Sequence, residues 1–210
     1  MTHQTCAVLR QIIERRRDVR AEFTGEPLDD ALVTELLTAA HAAPSVGNSQ
    51  PWDFVVVRSP GLLARFADHV AQCRQAYADS LTPERRDTFS PIKIEGIRES
   101  GLGIVATYDP TRSGPNVLGR HTIDDAGVFS VVCAVQNLWL TATAHDLGVG
   151  WVSFYREEVL SELLGLPDHV RPVAWLCVGA VSQLQQTPDL VRFGWNQRIP
   201  LEQVVHHDRW

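Results

Sequence analysis

The sequence is poor in the features that mark secreted and membrane proteins. It has only four cysteines and no CxxC pair. Widely spaced cysteines among apolar neighbours predict reduced, mostly buried thiols. The first residues lack the apolar stretch of a signal peptide, and the longest uninterrupted apolar run, Val173 to Val181, is far shorter than the roughly 20 residues of a membrane span. These absences predict a cytoplasmic protein with no membrane segment.

Positive charge is also in short supply. The 210 residues carry 19 Lys and Arg against 25 Asp and Glu, a formal net charge of -6. Proteins held on nucleic acids by phosphate contacts have the opposite balance, so we expect no nucleic-acid partner. The eight histidines lack the spacing of metal ligands, and in an extended tail His206 and His207 point apart, so no metal site is predicted. An anionic ligand therefore needs a local basic patch.

The pattern of apolar residues predicts a single domain over residues 1–210 that mixes helices and strands, in the α+β or α/β class. Helical spacing predicts helices over residues 5–17, from Pro27 to before Pro44, over 63–77, over 126–146 and over 156–164. Apolar runs predict strands at 52–57, 104–108, 150–154 and 173–181. The helix over 126–146 is apolar on nearly every side, and the tail after Trp195 is apolar but too short to fold alone. Both features indicate a homodimer.

A glycine pattern at Gly101–Ala106 matches the GxGxxG/A spacing of dinucleotide sites. Such a site needs glycines that follow a strand and open a helix, whereas these precede a strand. We therefore predict no Rossmann-type site. The sequence also lacks a GxSxG elbow and a Walker A loop, so it does not favour serine hydrolase or P-loop chemistry.

Two local motifs carry candidate chemistry. Four of the six residues in Arg15–Arg20 are arginines, and the other two are Asp18 and Val19. The planar guanidinium groups of arginine match phosphate oxygens. The alternative is a basic helix end that contacts only solvent. Asp18 does not fit a site built only for phosphate, because a carboxylate repels phosphate. The loop Ala43–Trp52, rich in small and polar residues, suits either a flat polar ring edge or an ordinary helix-to-strand connection.

Together the two motifs resemble the nitroreductase family of flavoproteins. The sequence has RRxxR at residues 16–20, followed by APSxxNxQPW at residues 43–52. In that family the first motif grips the FMN phosphate, the second lies along the flavin, and a basic residue near the C-terminus, matched here by Arg198, completes the phosphate site. Asn196 stands where the family often has a second basic residue, which shifts the expected binding toward Arg16, Arg17 and Arg20.

A narrower resemblance is to the 5,6-dimethylbenzimidazole synthase subfamily. It is carried by the segments 16–20, 43–47, 93–98, 132–139, 148–153 and 194–198. The subfamily uses an Asp at the position of Asp18, where other nitroreductases usually have Ser, and a Ser at the position of Ser153. Asn48 and Ser49 depart from the subfamily and are similar to an ordinary nitroreductase.

The resemblance implies a nitroreductase-like α+β fold, with a central mixed β-sheet flanked by helices, in an intertwined homodimer with an extended C-terminal arm. It implies Asp18 and Ser153 as catalytic residues. The FMN-binding residues that it implies are Arg16, Arg17, Asp18, Val19, Arg20, Ser45, Val46, Asn48, Lys93, Ser153 and Arg198.

The implied reaction takes reduced FMN as both cofactor and substrate, with O2 as co-substrate. Its products are 5,6-dimethylbenzimidazole, the lower ligand of cobalamin, and a four-carbon sugar phosphate. Asp18 is expected to act as general base beside the ribityl chain, and Ser153 to form a hydrogen bond near flavin N5. The segment from Thr82 to Gly114 is the candidate lid. No nicotinamide site is recognisable, so a separate flavin reductase is the expected source of reduced FMN.

Two other functions stay open at this point. One is an NAD(P)H-dependent nitroreductase or flavin reductase, in which the flavin survives turnover. The other is a non-catalytic FMN carrier, which has no use for a carboxylate beside phosphate. Asp18 is the sequence feature that separates the synthase from the carrier.

Overall fold

The computed structural model describes residues 3–210. Eight helices and four strands lie in these residues, with short 3-10 turns at Val46–Asn48 and Leu201–Gln203. The helices are α1 (His3–Arg15), α2 (Asp30–His41), α3 (Pro60–Ser80), α4 (Pro83–Phe89), α5 (Ile97–Ser100), α6 (Ala126–Ala144), α7 (Glu157–Leu164) and α8 (Asp189–Arg192). The strands are β1 (Trp52–Val57), β2 (Gly103–Tyr108), β3 (Leu147–Val152) and β4 (Arg171–Ala180).

Local capping explains where several helices begin. Asp29 accepts a hydrogen bond from the N–H of Leu32 at 2.7 Å and so starts α2, and Ser59 caps α3 with Pro60 in the first turn. Thr82 caps α4 in the same way, again followed by a proline. These caps satisfy N–H groups that lack partners within the helix.

The four strands form one antiparallel sheet in the order β1-β2-β4-β3. The expected α+β class is confirmed. The sheet was expected to be mixed, but within residues 3–210 the parallel pairing is limited to an isolated bridge between Asp18 and Val149. That bridge joins the chain just after α1 to the outer strand β3.

Each face of the sheet is covered by helices. On one face, α2 and α6 pack with residues such as Leu36, Leu138 and Leu176, all fully buried. On the other face, Trp175 is fully buried and stacks on Phe66 of α3 at a centroid distance of 4.0 Å. Burial on both faces explains why β2 and β4 are continuous apolar runs.

Helix α6 is long and apolar enough to cross a membrane by length and composition, but half of it is buried inside the protein, as in the core helix of a soluble protein. The other side of α6 exposes Phe129 and Val132, and α1 also exposes apolar residues. The large exposed apolar side chains of these helices and of the tail are Val8, Leu9, Ile13, Phe129, Val132, Ile199, Leu201, Val204, Val205 and Trp210.

The cysteines correct one expectation from the sequence. All four are free, as expected, but only Cys177 is buried. Cys73 is partly buried, whereas Cys6 on α1 and Cys133 on α6 are exposed. The apolar residues around these two cysteines lie on helix faces that this single chain leaves uncovered. The prediction that most thiols are buried is therefore wrong for the isolated chain.

The segment after α1 lies directly against β3. The N–H of Val19 donates to the carbonyl oxygen of Val149 at 2.9 Å, and Val19 is almost fully buried. A Cβ on Gly150 would lie 2.1 Å from the carbonyl oxygen of Val19. The absence of a side chain at Gly150 is therefore what lets the two backbones approach.

Gly150→Ala should lower the free energy of unfolding by about 1–3 kcal/mol, since the methyl group overlaps backbone that cannot swing away. Chemical denaturation measures the change. Gly61→Ala is the control, because the nearest atom to a Cβ there is 3.8 Å away and the residue lies in α3. Equal effects of the two substitutions would show that the close approach at Gly150 does not matter.

Candidate functional site

Asp18 sits at the start of the backbone bridge to β3, with both carboxylate oxygens engaged. Oδ1 accepts a hydrogen bond from the N–H of Trp151 at 3.0 Å. Oδ2 accepts one from Nη2 of Arg20 at 2.6 Å, in an ion pair in which the Arg20 side chain is 16% exposed and the Asp18 side chain 36%. The carboxylate is thus held in a fixed position with one side open.

Opposing influences act on the acidity of this carboxyl. Burial in the surrounding protein raises the pKa of Asp18 above its ordinary value, while Arg20, the Trp151 N–H and the charge of Arg16 oppose the rise. Because the desolvation effect prevails, Asp18 is a stronger base than a free aspartate. A raised pKa is what a general base working near neutral pH requires.

Three arginines, two of which directly precede Asp18 in the sequence, interact through their charges. We call Arg16, Arg17 and Arg198 the arginine cluster. The guanidinium of Arg16 lies over the ring of Trp139 at 4.9 Å, and Arg17 donates to the carbonyl oxygens of Glu14, Arg16 and Gln186. Burial and the positive charges of Arg198 and Arg16 lower the pKa of Arg17. Nε of Arg17 is buried without a hydrogen bond.

Crowding of like charges is unfavourable unless an anion offsets it. The arginine cluster therefore has the electrostatics of an anion site, and it lies in a chain whose net charge is negative. Its members come from the residues just after α1 and from the C-terminal tail. The family resemblance predicts that these two parts of the sequence bind one phosphate group. The fold brings these positions together.

Arg20 and Ser153 line a common cavity of about 230 Å³. Ser153 follows the last residue of β3 and is exposed. The remaining lining is largely apolar and aromatic, and is made up of Tyr77, Phe89, Ile92, Ile94, Phe154, Leu190 and Trp195. We call this the aromatic cavity. It is an apolar space for a ring system with polar groups at one end, as small-molecule sites usually are.

Lys93 lies beyond the wall of the aromatic cavity. Its ammonium group pairs with Glu99 at 2.6 Å, and it lines a separate cavity of about 310 Å³ together with Arg74. The neighbouring Ile92 and Ile94 stand between the two spaces, since both line each of them. Lys93 is therefore not among the residues that the fold gathers around Ser153, and its flavin contact stays a prediction.

The second motif lies elsewhere in the chain. The N–H of Val46 donates to Oγ of Ser130 near the start of α6, whereas Nε1 of Trp139, nine positions further along that helix, donates to the carbonyl oxygen of Arg17. At 1.5 Å per residue the two anchoring points are roughly 13 Å apart. The loop with Ser45, Val46 and Asn48 and the segment with Asp18 thus contact α6 about half of its length apart.

The backbone of this loop is strained. Asn48 and Gln50 have φ values of 52° and 46°, in the left-handed region that side chains other than glycine rarely adopt. The loop is held by a hydrogen bond from the N–H of Gln50 to Oγ of Ser45 at 3.0 Å. Backbone strain of this kind concentrates at binding and active sites.

Comparison with known proteins decides the family. The sequence profile of the nitroreductase family matches residues 13–180. This chain belongs to the nitroreductase family. It is 39% identical over 190 residues to the 5,6-dimethylbenzimidazole synthase of Rhodospirillum rubrum, a match that covers 90% of this chain and 89% of that protein. It is 32% identical over 194 residues to the 5,6-dimethylbenzimidazole synthase of Rhodobacter capsulatus, with 92% and 93% covered.

The fold agrees with this assignment. A BluB-like flavoprotein of Clostridium difficile, 21% identical, superposes with a TM-score of 0.69 over 96% of this chain and 99% of its own. At that level of identity the likeness supports the nitroreductase fold alone. The sequence resemblance described above is confirmed at the level of family and of the similar synthases.

Sequence reasoning missed several residues of this nitroreductase-family site. Phe154 of the aromatic cavity is predicted only as part of a strand, Phe89 only as part of the candidate lid and Trp195 only as part of the segment 194–198. No role is predicted for Asp189, which lines a cavity with Asp18 and Arg20. The one available signal was the high aromatic content around residues 154 and 195. The pairing of these distant positions depends on the folded chain.

Arg20→Gln should raise the pKa of Asp18 by about one unit or more, because the positive charge that stabilises the carboxylate is removed. Carboxyl-carbon NMR titration of the protein measures the midpoint. Arg58→Gln is the matched control, since it breaks a similar pair with Asp30 on the surface. An Asp18 midpoint that is the same in all three proteins would contradict the electrostatic role of Arg20.

Proposed function

We propose that this chain cleaves reduced FMN with O2 to 5,6-dimethylbenzimidazole and a four-carbon sugar phosphate, and so makes the lower ligand of cobalamin. The observation that carries the proposal is the position of Asp18, a fixed carboxylate beside an arginine cluster, in a chain similar to 5,6-dimethylbenzimidazole synthases over nine-tenths of its length. A site built only to bind phosphate gains nothing from a carboxylate at that position.

The residues fit FMN by their chemistry. The arginine cluster supplies cations for the phosphate, and Arg17 has a buried Nε that lacks a partner within the described chain. The aromatic cavity offers an apolar space for a ring system beside Arg20 and Ser153. Ser45, Val46 and Asn48 supply backbone and amide groups for the polar ring edge. Val19, Arg20 and Lys93 also belong to the proposed FMN-binding set.

In the proposed reaction FMN supplies the redox chemistry with O2, and the protein positions groups around it. Asp18 accepts a proton from the ribityl side, on a carboxylate whose Oδ1 is held by the Trp151 N–H and whose Oδ2 is held by Arg20. Ser153 donates a hydrogen bond near flavin N5 at the mouth of the aromatic cavity. The apolar lining excludes water, which a site for reduced flavin and oxygen requires.

The segment from Thr82 to Gly114 is too long for a lid, because Gly103–Tyr108 forms β2, a buried inner strand of the sheet. The proposed lid is the first part of the predicted segment, residues 82–96. Helix α4 lies within it, and its Phe89, together with Ile92 and Ile94, lines the aromatic cavity. The guanidinium of Arg85 lies over the ring of Trp195 at 3.8 Å and joins α4 to the C-terminal segment. These contacts support a cover that closes over the ring system from one side.

We propose a homodimer in which each site takes the arginine cluster and Asp18 from one chain and the loop at Ser45–Asn48 from the other. The roughly 13 Å between their anchoring points along α6 supports this division, because the two motifs contact different parts of that helix. The exposed apolar residues of α1, α6 and the tail offer the contact surface. A stable monomer in solution that still binds FMN would contradict the arrangement.

The remaining parts of the proposal concern the cellular setting. We propose that residues 1–210 act as a single FMN-binding domain in the cytoplasm, and that a separate flavin reductase supplies reduced FMN. The principal alternative is an NAD(P)H-dependent nitroreductase, which would return the flavin intact. A non-catalytic FMN carrier is the second alternative. Both predict that bound reduced FMN, once exposed to air, is recovered intact as oxidised FMN.

Arg198→Ala should weaken FMN binding by about 1.5–3 kcal/mol, the usual worth of a hydrogen bond to a charged group, and leave riboflavin binding unchanged. Fluorescence titration with both ligands measures the effect. Arg209→Ala removes another exposed arginine of the tail and serves as the control. An equal loss of riboflavin affinity would show that Arg198 does not act through the phosphate.

Asp18→Asn should bind FMN as well as the parent or better, yet form little or no 5,6-dimethylbenzimidazole. Asn keeps the size of the side chain but cannot accept the proton, and the change removes a negative charge beside the phosphate. FMN affinity and benzimidazole yield are to be measured on one preparation. Asp30→Asn, which alters a surface carboxylate paired with Arg58, is the control and should keep the parent yield.

The outcome separates the competing roles of Asp18. Near-parent product from a well-folded Asp18→Asn protein would remove the general-base role. Joint loss of folding and FMN affinity would instead mark Asp18 as a structural residue that holds the bridge to β3.

A further inference from the structure

A second carboxylate shares a cavity with Asp18. Asp18, Arg20, Pro188, Asp189 and Leu190 line a space of about 110 Å³. Two of these, Arg20 and Leu190, also line the aromatic cavity, so the two spaces are neighbours separated by the Arg20 side chain. We call the smaller one the carboxylate cavity. The reaction described above does not use Asp189.

Asp189 is a largely buried acid, and one of its carboxylate oxygens lacks a hydrogen bond within residues 3–210. Its side chain is 11% exposed, and Oδ1 is buried without a hydrogen bond in the described part of the chain. Nη2 of Arg192 lies 2.9 Å from Oδ1, an ion pair whose geometry does not make a hydrogen bond, and the Arg192 side chain is 42% exposed. Buried carboxylate oxygens are normally hydrogen-bonded, so this one calls for an explanation.

The charges around the two carboxylates converge on Arg20. Asp18 faces Arg20 and Arg16, and Asp189 faces Arg192 from its own helix and Glu22 and Arg20 from the segment after α1. Burial raises the pKa of Asp189, the charge of Glu22 adds to the rise, and Arg192 and Arg20 oppose it. Arg20 is therefore a cation that acts on both acids.

Protonation of Asp18 leaves the positive charge of Arg20 without its counter-ion. When Asp18 accepts a proton, Arg20 loses the counter-ion to which it donates at 2.6 Å, although its own side chain is largely buried. An unpaired buried cation is strongly unfavourable, so the loss of this ion pair opposes the protonation of Asp18. A second carboxylate within the same cavity removes that obstacle.

We propose that Asp189 is a positioning residue that acts through Arg20 and becomes its counter-ion when Asp18 takes up a proton. This rests on the proposed function only for the source of the proton. The exchange of Arg20 between two carboxylates concerns this chain alone. The proton forms an O–H bond with Asp18 as its bond to the donor breaks, whereas the change of partner by Arg20 breaks no covalent bond and leaves Arg20 charged throughout.

The test is the titration of Asp18 in Asp189→Asn. Without the charge of Asp189, Arg20 pairs with Asp18 alone, which stabilises the carboxylate. The NMR midpoint of Asp18 should fall by about 0.5 pH unit or more. The acid limb of the pH profile for product formation should move to lower pH by a similar amount, with a several-fold lower plateau rate and FMN affinity unchanged or stronger. Asp189→Glu should restore much of the parent profile.

Arg192→Gln is the matched control. If Asp189 serves only to hold α8 through Arg192, both variants lose stability and the Asp18 midpoint stays where it is, which would overturn the proposal. If Asp189 acts on Arg20, Arg192→Gln frees Asp189 further and does not lower that midpoint. The titration needs no turnover, so a parent protein that forms no benzimidazole would refute the proposed function while the coupling of the two acids is still measured.

Discussion

The site depends on the attachment of one short segment to the outer strand of the sheet. The hydrogen bond from Val19 to Val149, and the hydrogen bond from the Trp151 N–H to Asp18, fix the chain after α1 against β3. Gly150 makes the approach possible, since a side chain there would overlap the backbone of Val19. The position of Asp18, and through it that of Arg20, follows from this contact.

Electrostatics then give the segment its chemistry. The arginine cluster concentrates positive charge in a protein whose overall charge is negative, and this crowding favours an anion at that point. Asp18 sits at the edge of the cluster, where desolvation raises its pKa and Arg20 restrains the rise. The balance produces a carboxylate that is held firmly yet is still basic. Phosphate recognition and proton transfer therefore occupy adjacent positions in one segment.

Much of the fold follows from local sequence. The strand at 52–57 has the bounds that its apolar run predicts, and α6 ends within two residues of its predicted end. The predicted strand at 150–154 begins about three residues later than β3, whose glycines Gly148 and Gly150 serve close packing rather than ending the strand. The arginine cluster and Asp18 could be predicted from their motifs. Asp189 could not, since its meaning depends on contact with Arg20, far away in the chain.

The central claim is that the bound flavin is consumed. Its most direct test is to load the purified protein with reduced FMN, admit air and follow the visible spectrum, with chromatography of the products. The account predicts that the flavin absorbance does not return in full and that 5,6-dimethylbenzimidazole forms in matching amount. Complete recovery of oxidised FMN with no benzimidazole would contradict it, and would favour a reductase or a carrier.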